Sequence, residues 1–72
     1  MVGQVVNITT SLNIRRGHSI TTSVVGNMTN GAFFVINGKS GDWYYIEYQG
    51  VKGYVYKDYV KVLNDLQSIK QG

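Results

Sequence analysis

The stretch from Gly41 to Val60 constrains the fold more than any other part of the chain. It contains the single tryptophan and all six tyrosines. Two runs of aromatic and β-branched residues, Trp43–Tyr48 and Tyr54–Tyr56, flank the connection Gln49–Gly53. Such runs around a short connection with two glycines predict a β-hairpin, in which both glycines provide the positive φ of a tight turn or bulge.

Strand alternation separates the side chains of this hairpin onto two faces. Ile46 and Val55 are predicted to point into the core, together with Tyr44 and Tyr48. The opposite face then carries the aromatic residues Trp43, Tyr45, Tyr54 and Tyr56. A chain of 72 residues cannot bury both sets, so the outer aromatic face is the main indication of function.

Short strands are predicted along the rest of the chain, at Gly3–Thr10, Ser11–Arg16, Val24–Met28, Ala32–Ile36 and Val60–Leu63. Asn30-Gly31 is the dipeptide that suits a type I′ hairpin turn. The segments Gly17–Ser23 and Asn37–Asp42 are predicted loops, and the first is long enough to carry a binding function. Lys57-Asp58-Tyr59 is predicted to form one 3-10 turn. Closely spaced turn signals indicate an all-β barrel or sandwich.

Residues 1–63 are predicted to form one domain. Asn64–Gly72 has only Leu66 and Ile69 as apolar residues, and nine residues are marginal for a helix in water, so it is predicted to be a tail or an interdomain linker. No run approaches the ~20 apolar residues of a membrane span. The first residues show no signal-peptide pattern, which predicts a cytosolic domain, one exported by another route, or a module of a larger protein.

The composition argues against catalysis. Cysteine is absent, and the single histidine, His18, lies in a predicted loop without a fixed partner. The acids are scattered, which predicts neither a metal site nor a glycosidase carboxylate pair: Asp42, Glu47, Asp58 and Asp65. The seven basic residues give a net charge of +3 and are also scattered apart from Arg15–Arg16. We therefore expect no enzyme activity, no cofactor, no metal and no nucleic-acid partner.

Several motifs in order resemble one known family. The first, Leu12-Asn13-Ile14-Arg15-x-Gly17-x-Ser19, resembles the L-N-(V/I)-R-x-G-P-S signature of bacterial SH3 domains, the SH3b or SH3_3 type. The similarity continues, over residues 3 to 62, in Ser23-Val24-Val25-Gly26, in Asn30-Gly31 before an apolar strand, in Gly41-Asp42-Trp43-Tyr44-Tyr45-Ile46, and in Gly53-Tyr54-Val55-x-x-x-Tyr59-Val60. His18 replaces the usual proline, and Arg16 stands where a small or acidic residue is usual.

The resemblance implies an all-β, SH3-like, partly open barrel of five to seven short strands with one 3-10 turn. It also implies a non-catalytic module that anchors a peptidoglycan hydrolase, such as an endolysin or autolysin, to the cell wall. The expected partner is a peptidoglycan stem peptide or cross-bridge. The expected location is extracellular, at the cell wall, within a larger secreted or phage-encoded protein, and the domain is expected to be a monomer.

By the same resemblance, the ligand is expected in a shallow groove between the Gly17–Ser23 loop and the aromatic residues. The last segment is also similar to the end of eukaryotic SH3 domains, where Trp43 and Tyr59 overlay groove residues and Tyr56 replaces the groove proline. Pro-rich ligands are therefore not expected. The predicted ligand-binding residues are Arg16, Trp43, Tyr45, Tyr54, Tyr56 and Tyr59. Arg16 is expected to be exposed and able to bind a peptide carboxylate.

Asn13 and Arg15 match the family motif and are expected to have structural roles, the asparagine at a turn and the arginine stacked or paired on the barrel. The alternative function is a protein-interaction module that binds a partner protein or another domain of its own chain, because small β-barrels host many functions.

Overall fold

The computed structural model of the protein describes residues 1–63, which form seven antiparallel strands and one 3-10 turn. The strands are β1 (Val2–Val5), β2 (Ser11–Arg15), β3 (Val24–Thr29), β4 (Phe33–Ser40), β5 (Trp43–Tyr48), β6 (Val51–Tyr56) and β7 (Val60–Leu63), and the 3-10 turn is Lys57–Tyr59. The predicted all-β, SH3-like architecture with one 3-10 turn is confirmed. The segment 64–72, predicted to be a tail or linker, lies outside the described residues.

The seven strands form one open sheet in the order β3-β2-β6-β5-β4-β1-β7. Strands β4, β5 and β6 follow one another as an antiparallel meander, and β2 pairs with β3. β1 is inserted between β4 and β7, so the first strand pairs with the last. β2 pairs with β6 through Arg15 and Tyr54, which places the loop after β2 beside the aromatic hairpin.

The inner face of the sheet forms the hydrophobic core. Its buried residues are Val5, Leu12, Ile14, Met28, Phe34, Ile36, Ile46 and Val55. Removing such a side chain from water stabilises the fold by about 1.5–3 kcal/mol. The alternation predicted for β2 and β4 is confirmed, because Leu12, Ile14, Phe34 and Ile36 are buried. Phe33 and Val35 lie on the other face of β4 and are 59% and 47% exposed.

The β5–β6 hairpin has the two faces that the alternation predicts. Ile46 and Val55 are completely buried, and Tyr44 and Tyr48 are half-buried against the core. The turn is shorter than predicted, because Tyr48 pairs with Val51. Its two central residues, Gln49 and Gly50, both have positive φ, 50° and 81°. This is the pattern of a type I′ turn, whose twist matches that of the flanking strands.

Gly53 was predicted in the turn, and this prediction is wrong. It lies buried within β6, and its φ is not positive. A Cβ at this position would lie 2.5 Å from the Arg15 carbonyl oxygen and 2.6 Å from the Ile14 side chain. The glycine is therefore needed because β2 pairs closely with β6 at this point.

Asn30-Gly31 forms a turn, but the predicted type I′ hairpin is wrong. The Ala32 N–H donates to the Thr29 carbonyl oxygen at 3.1 Å, and only Gly31 has positive φ, 90°, as in a type II turn. β3 and β4 are separated in the sheet by three strands. The turn is instead fixed to β1, because the Gly31 N–H donates to the Val5 carbonyl oxygen at 2.8 Å.

Two further strand boundaries differ from the prediction by more than one residue. β1 ends at Val5 rather than Thr10, because the chain turns at Asn7, whose φ is 61°. β4 continues to Ser40 through most of the predicted loop 37–42, since a bulge between Ile36 and Gly38 lets the strand bend without losing its pairing to β5.

No helix within residues 1–63 is both long enough and apolar enough to cross a lipid bilayer.

Candidate ligand-binding groove

An open groove with a volume of about 200 Å³ lies at the end of the aromatic hairpin where β5 begins and β6 ends. Five parts of the chain contribute to it: the β1–β2 connection, β2, the loop after β2, the hairpin and the 3-10 turn. Its lining residues are Ile8, Ser11, Leu12, Asn13, Arg15, Ile20, Trp43, Tyr56 and Tyr59. The groove is thus assembled by the β2–β6 pairing, which joins distant parts of the sequence.

One wall of the groove is aromatic. Trp43 and Tyr56 are cross-strand partners on the outer face of the hairpin, with ring centroids 5.3 Å apart and planes at 73°. This edge-to-face arrangement is favourable for two aromatic rings. Tyr59, on the 3-10 turn, packs partly against the core and completes the wall. Three of the predicted ligand-binding residues therefore lie together.

The loop 17–23 contributes Ile20 to the groove lining, and this loop is held by its own hydrogen bonds. The Thr22 hydroxyl donates to the Ser19 carbonyl oxygen at 2.7 Å and accepts from the Gly17 N–H at 3.2 Å. The Arg16 N–H closes the base of the loop by donating to the Ser23 carbonyl oxygen at 2.8 Å. Ile20 contributes to the groove wall yet is 73% exposed, so the loop presents an apolar side chain beside the aromatic residues.

Arg15 connects the loop to the groove. Its Nη1 atom donates to the Thr22 carbonyl oxygen at 3.0 Å, and the side chain also lines the groove. Arg15 was expected to be stacked or paired on the barrel, but it is instead hydrogen-bonded to a loop carbonyl, and its position beside the aromatic wall was not predicted. Strand alternation was the available signal, because it places Arg15 on the outer face with Asn13, opposite the buried Leu12 and Ile14.

The other predicted binding residues lie outside the groove lining. Tyr45 and Tyr54 form the next cross-strand pair along the outer face, with centroids 5.0 Å apart and planes at 45°. The His18 ring meets Tyr54 edge-on at 5.7 Å. Arg16 is exposed and is not among the groove residues. A ligand role stays a prediction for all six residues, of which Arg16, Tyr45 and Tyr54 lie outside the groove lining.

Lys57 lies at the end of the aromatic wall, with its Nζ 5.8 Å from the centroid of the Tyr56 ring. Its ammonium donates to the Asp58 carboxylate at 3.3 Å, and this hydrogen bond is the main cause that raises the pKa of Lys57. The charges of Asp58 and Asp42 act in the same direction. This ion pair is exposed, so solvent screens it.

The residues of the groove are suited to non-covalent recognition. Aromatic rings provide rigid contact area with polar tips, and Arg15 adds one cation. Within residues 1–63, no three His, Asp or Glu side chains are placed so that they could hold a metal ion.

Comparison with known proteins gives two findings. The family described as "Bacterial SH3 domain" matches residues 10–61. A curated relative named bacteriocin BCN5, from Clostridium perfringens, is 37% identical over 68 residues. That alignment covers 94% of this chain but only 8% of the bacteriocin, so the chain spans a small part of its relative.

The family match includes β2, the loop and the whole aromatic hairpin. It therefore contains every residue of the groove except Ile8. Bacterial SH3 domains are generally non-catalytic binding modules. From the residues matched and the seven-stranded fold, we conclude that this chain belongs to the bacterial SH3 domain family.

Proposed function

We propose that this domain is a non-catalytic module that binds the peptide part of peptidoglycan and so targets an attached peptidoglycan hydrolase to the cell wall. One observation carries the proposal: a groove walled by Trp43, Tyr56 and Tyr59 in a bacterial SH3 domain. Members of this family generally bind peptidoglycan, and a relative bears the name bacteriocin, which supports an extracellular setting.

The proposed ligand is a stem peptide or cross-bridge lying along the groove. Ile20 and the aromatic rings contact its apolar parts, while the hydroxyls of Tyr56 and Tyr59 are suited to its amide groups. Such a shallow site gives modest affinity. Modest affinity suffices for targeting, because tethering raises the effective concentration of an attached enzyme at its substrate.

In this proposal residues 1–63 are the binding unit, acting as a monomer, and residues 64–72 are a tail or a connection to another domain. The parent protein is secreted or phage-encoded and carries the catalytic activity elsewhere.

The test is co-sedimentation of the fluorescently labelled domain with purified Gram-positive cell walls. We expect the wild type to sediment and the double variant Trp43→Ala Tyr59→Ala to remain in solution. Phe33→Ala is the matched control, because Phe33 is an exposed aromatic residue on β4 outside the groove. Circular dichroism establishes that each variant is folded. A wild-type domain that stays in solution contradicts wall binding.

A second candidate function rests on a different surface. Phe33 and Val35 are exposed on the outer face of β4, beside the half-buried Val2 of β1. An exposed apolar surface of this kind is suited to a protein partner or another domain of the same chain. Phe33→Ser should then abolish binding to the protein partner while leaving wall binding unchanged. The variant Trp43→Ala Tyr59→Ala should lose wall binding and keep binding to the protein partner.

A further inference from the structure

Arg15 is the one charged side chain among the described residues that line the groove. A guanidinium carries five N–H donors in a rigid plane, and a backbone acceptor, the Thr22 carbonyl oxygen, binds one of them at Nη1. Within residues 1–63, no carboxylate lies within 4.0 Å of Arg15; the ion pair of this region joins Lys57 and Asp58. The remaining donors therefore have no anionic partner in the described part of the chain.

The hydrogen bond to Thr22 also positions this cation. Arg15 is half-buried, and the hydrogen bond of Nη1 to the loop already restricts its side chain. The side chain therefore loses less conformational entropy when a ligand binds. The guanidinium geometry matches a carboxylate, which can accept two parallel N–H bonds. A carboxylate seated here would lie beside the aromatic wall of Trp43, Tyr56 and Tyr59, where partial desolvation strengthens the interaction.

From this geometry we infer that the groove selects ligands by a carboxylate, and that Arg15 is the residue that binds it. The inference rests on the proposed function and defines its ligand as a peptide with a free carboxylate. It assigns to Arg15 the role that the sequence suggested for Arg16, whose exposed side chain lies outside the groove lining.

The experiment uses a soluble stem tetrapeptide, Ala-γGlu-Lys-Ala, which carries two carboxylates: one on the γ-linked glutamate and one at the C-terminus. Four forms are compared: the free acid, each single amide and the double amide. Binding is followed by the fluorescence of Trp43, the single tryptophan of the chain and a residue of the groove wall.

We expect the wild type to bind the free acid about 10- to 100-fold more tightly than the double amide, the range typical of a charged hydrogen bond. The affinities of the two single amides show which of the two carboxylates the domain binds. Arg15→Gln should bind acid and double amide equally. Arg16→Gln, the matched control, should keep the preference. The ratio of the two affinities is the decisive measure, because a merely structural loss would weaken both peptides together.

An NMR measurement on the wild-type domain tests the inference without relying on the folding of a variant. The Arg15 Nε–H resonance should shift with the free acid and remain unchanged with the double amide. Equal affinity for acid and amide overturns the inference, and so does a preference lost in Arg16→Gln but kept in Arg15→Gln. Binding to whole walls with no binding to any of the four peptides overturns it as well, while leaving the wall-binding function in place.

Discussion

Trp43 and Tyr56 meet edge to face across the β5–β6 hairpin, with their ring centroids 5.3 Å apart, and the same two rings form a wall of the groove. Stability and the proposed recognition therefore involve the same pair of side chains. Substituting one ring removes both a cross-strand contact and part of the groove wall, so a loss of binding needs a separate measurement of folding.

A double-mutant cycle on Trp43→Leu and Tyr56→Leu should give an interaction free energy of about 0.5–1.5 kcal/mol in the free energy of unfolding, the range for aromatic pairs. Urea denaturation measures it. The combination Trp43→Leu with Phe33→Leu should be additive, since these rings form no aromatic contact within residues 1–63. An additive Trp43–Tyr56 cycle would contradict a stabilising contact between the two rings.

Gly53→Ala should destabilise the domain strongly, by about 2 kcal/mol or more, because the new Cβ would collide with the backbone of β2. Thermal denaturation measures the loss. Gly38→Ala is the matched control: its φ is also not positive, and the nearest atom to its added Cβ is 4.0 Å away. If the two variants were equally stable, the close approach of β2 and β6 would be wrong.

Gln49→Asn should stabilise the hairpin by a few tenths of a kcal/mol, because asparagine tolerates positive φ better than glutamine in a type I′ turn. Gly50→Ala should act in the opposite direction and cost about 1 kcal/mol or more, although nothing lies near its added Cβ. Chemical denaturation of both variants tests the turn. A neutral Gly50→Ala would show that the residue does not need positive φ.

Lys57 should titrate above its ordinary pKa of 10.5, chiefly because its ammonium donates a hydrogen bond to Asp58. A pKa raised in the folded state means that the pair stabilises the fold below about pH 10.5 and that this contribution disappears as the pH rises through the folded value. Asp58→Asn should lower the pKa of Lys57 in an NMR titration. An unchanged pKa would show that the pair does not persist in solution.

Local sequence pattern was sufficient for the parts of the fold that depend on neighbours along the chain. Alternation correctly assigned Ile46 and Val55 to the core and Trp43 and Tyr56 to the outer face, since side chains along a strand point alternately to its two sides. The 3-10 turn at Lys57–Tyr59 was likewise predicted, from a segment too short for an α-helix.

The sequence predictions that were wrong or incomplete depend on pairings between strands that are distant along the chain. Asn30-Gly31 forms a turn, as its residue types require, but turn preference does not determine whether the flanking strands pair with each other. A glycine at position 53 looks the same in sequence as a turn glycine, and only the close approach of β2 shows why it is needed. The place of Arg15 in the groove depends on the same β2–β6 pairing, since Arg15 pairs with Tyr54.

The pairing of β1 with β7 has a mechanical consequence. Val2 lies opposite Leu63, so the described chain enters and leaves the domain at the same end of one antiparallel ladder. Tension applied through these two residues acts along the inter-strand hydrogen bonds and loads them one after another. A domain pulled through Val2 and Leu63 at once should therefore peel open at low force. Force spectroscopy can compare this direction with pulling along the strands, which loads the whole ladder at once.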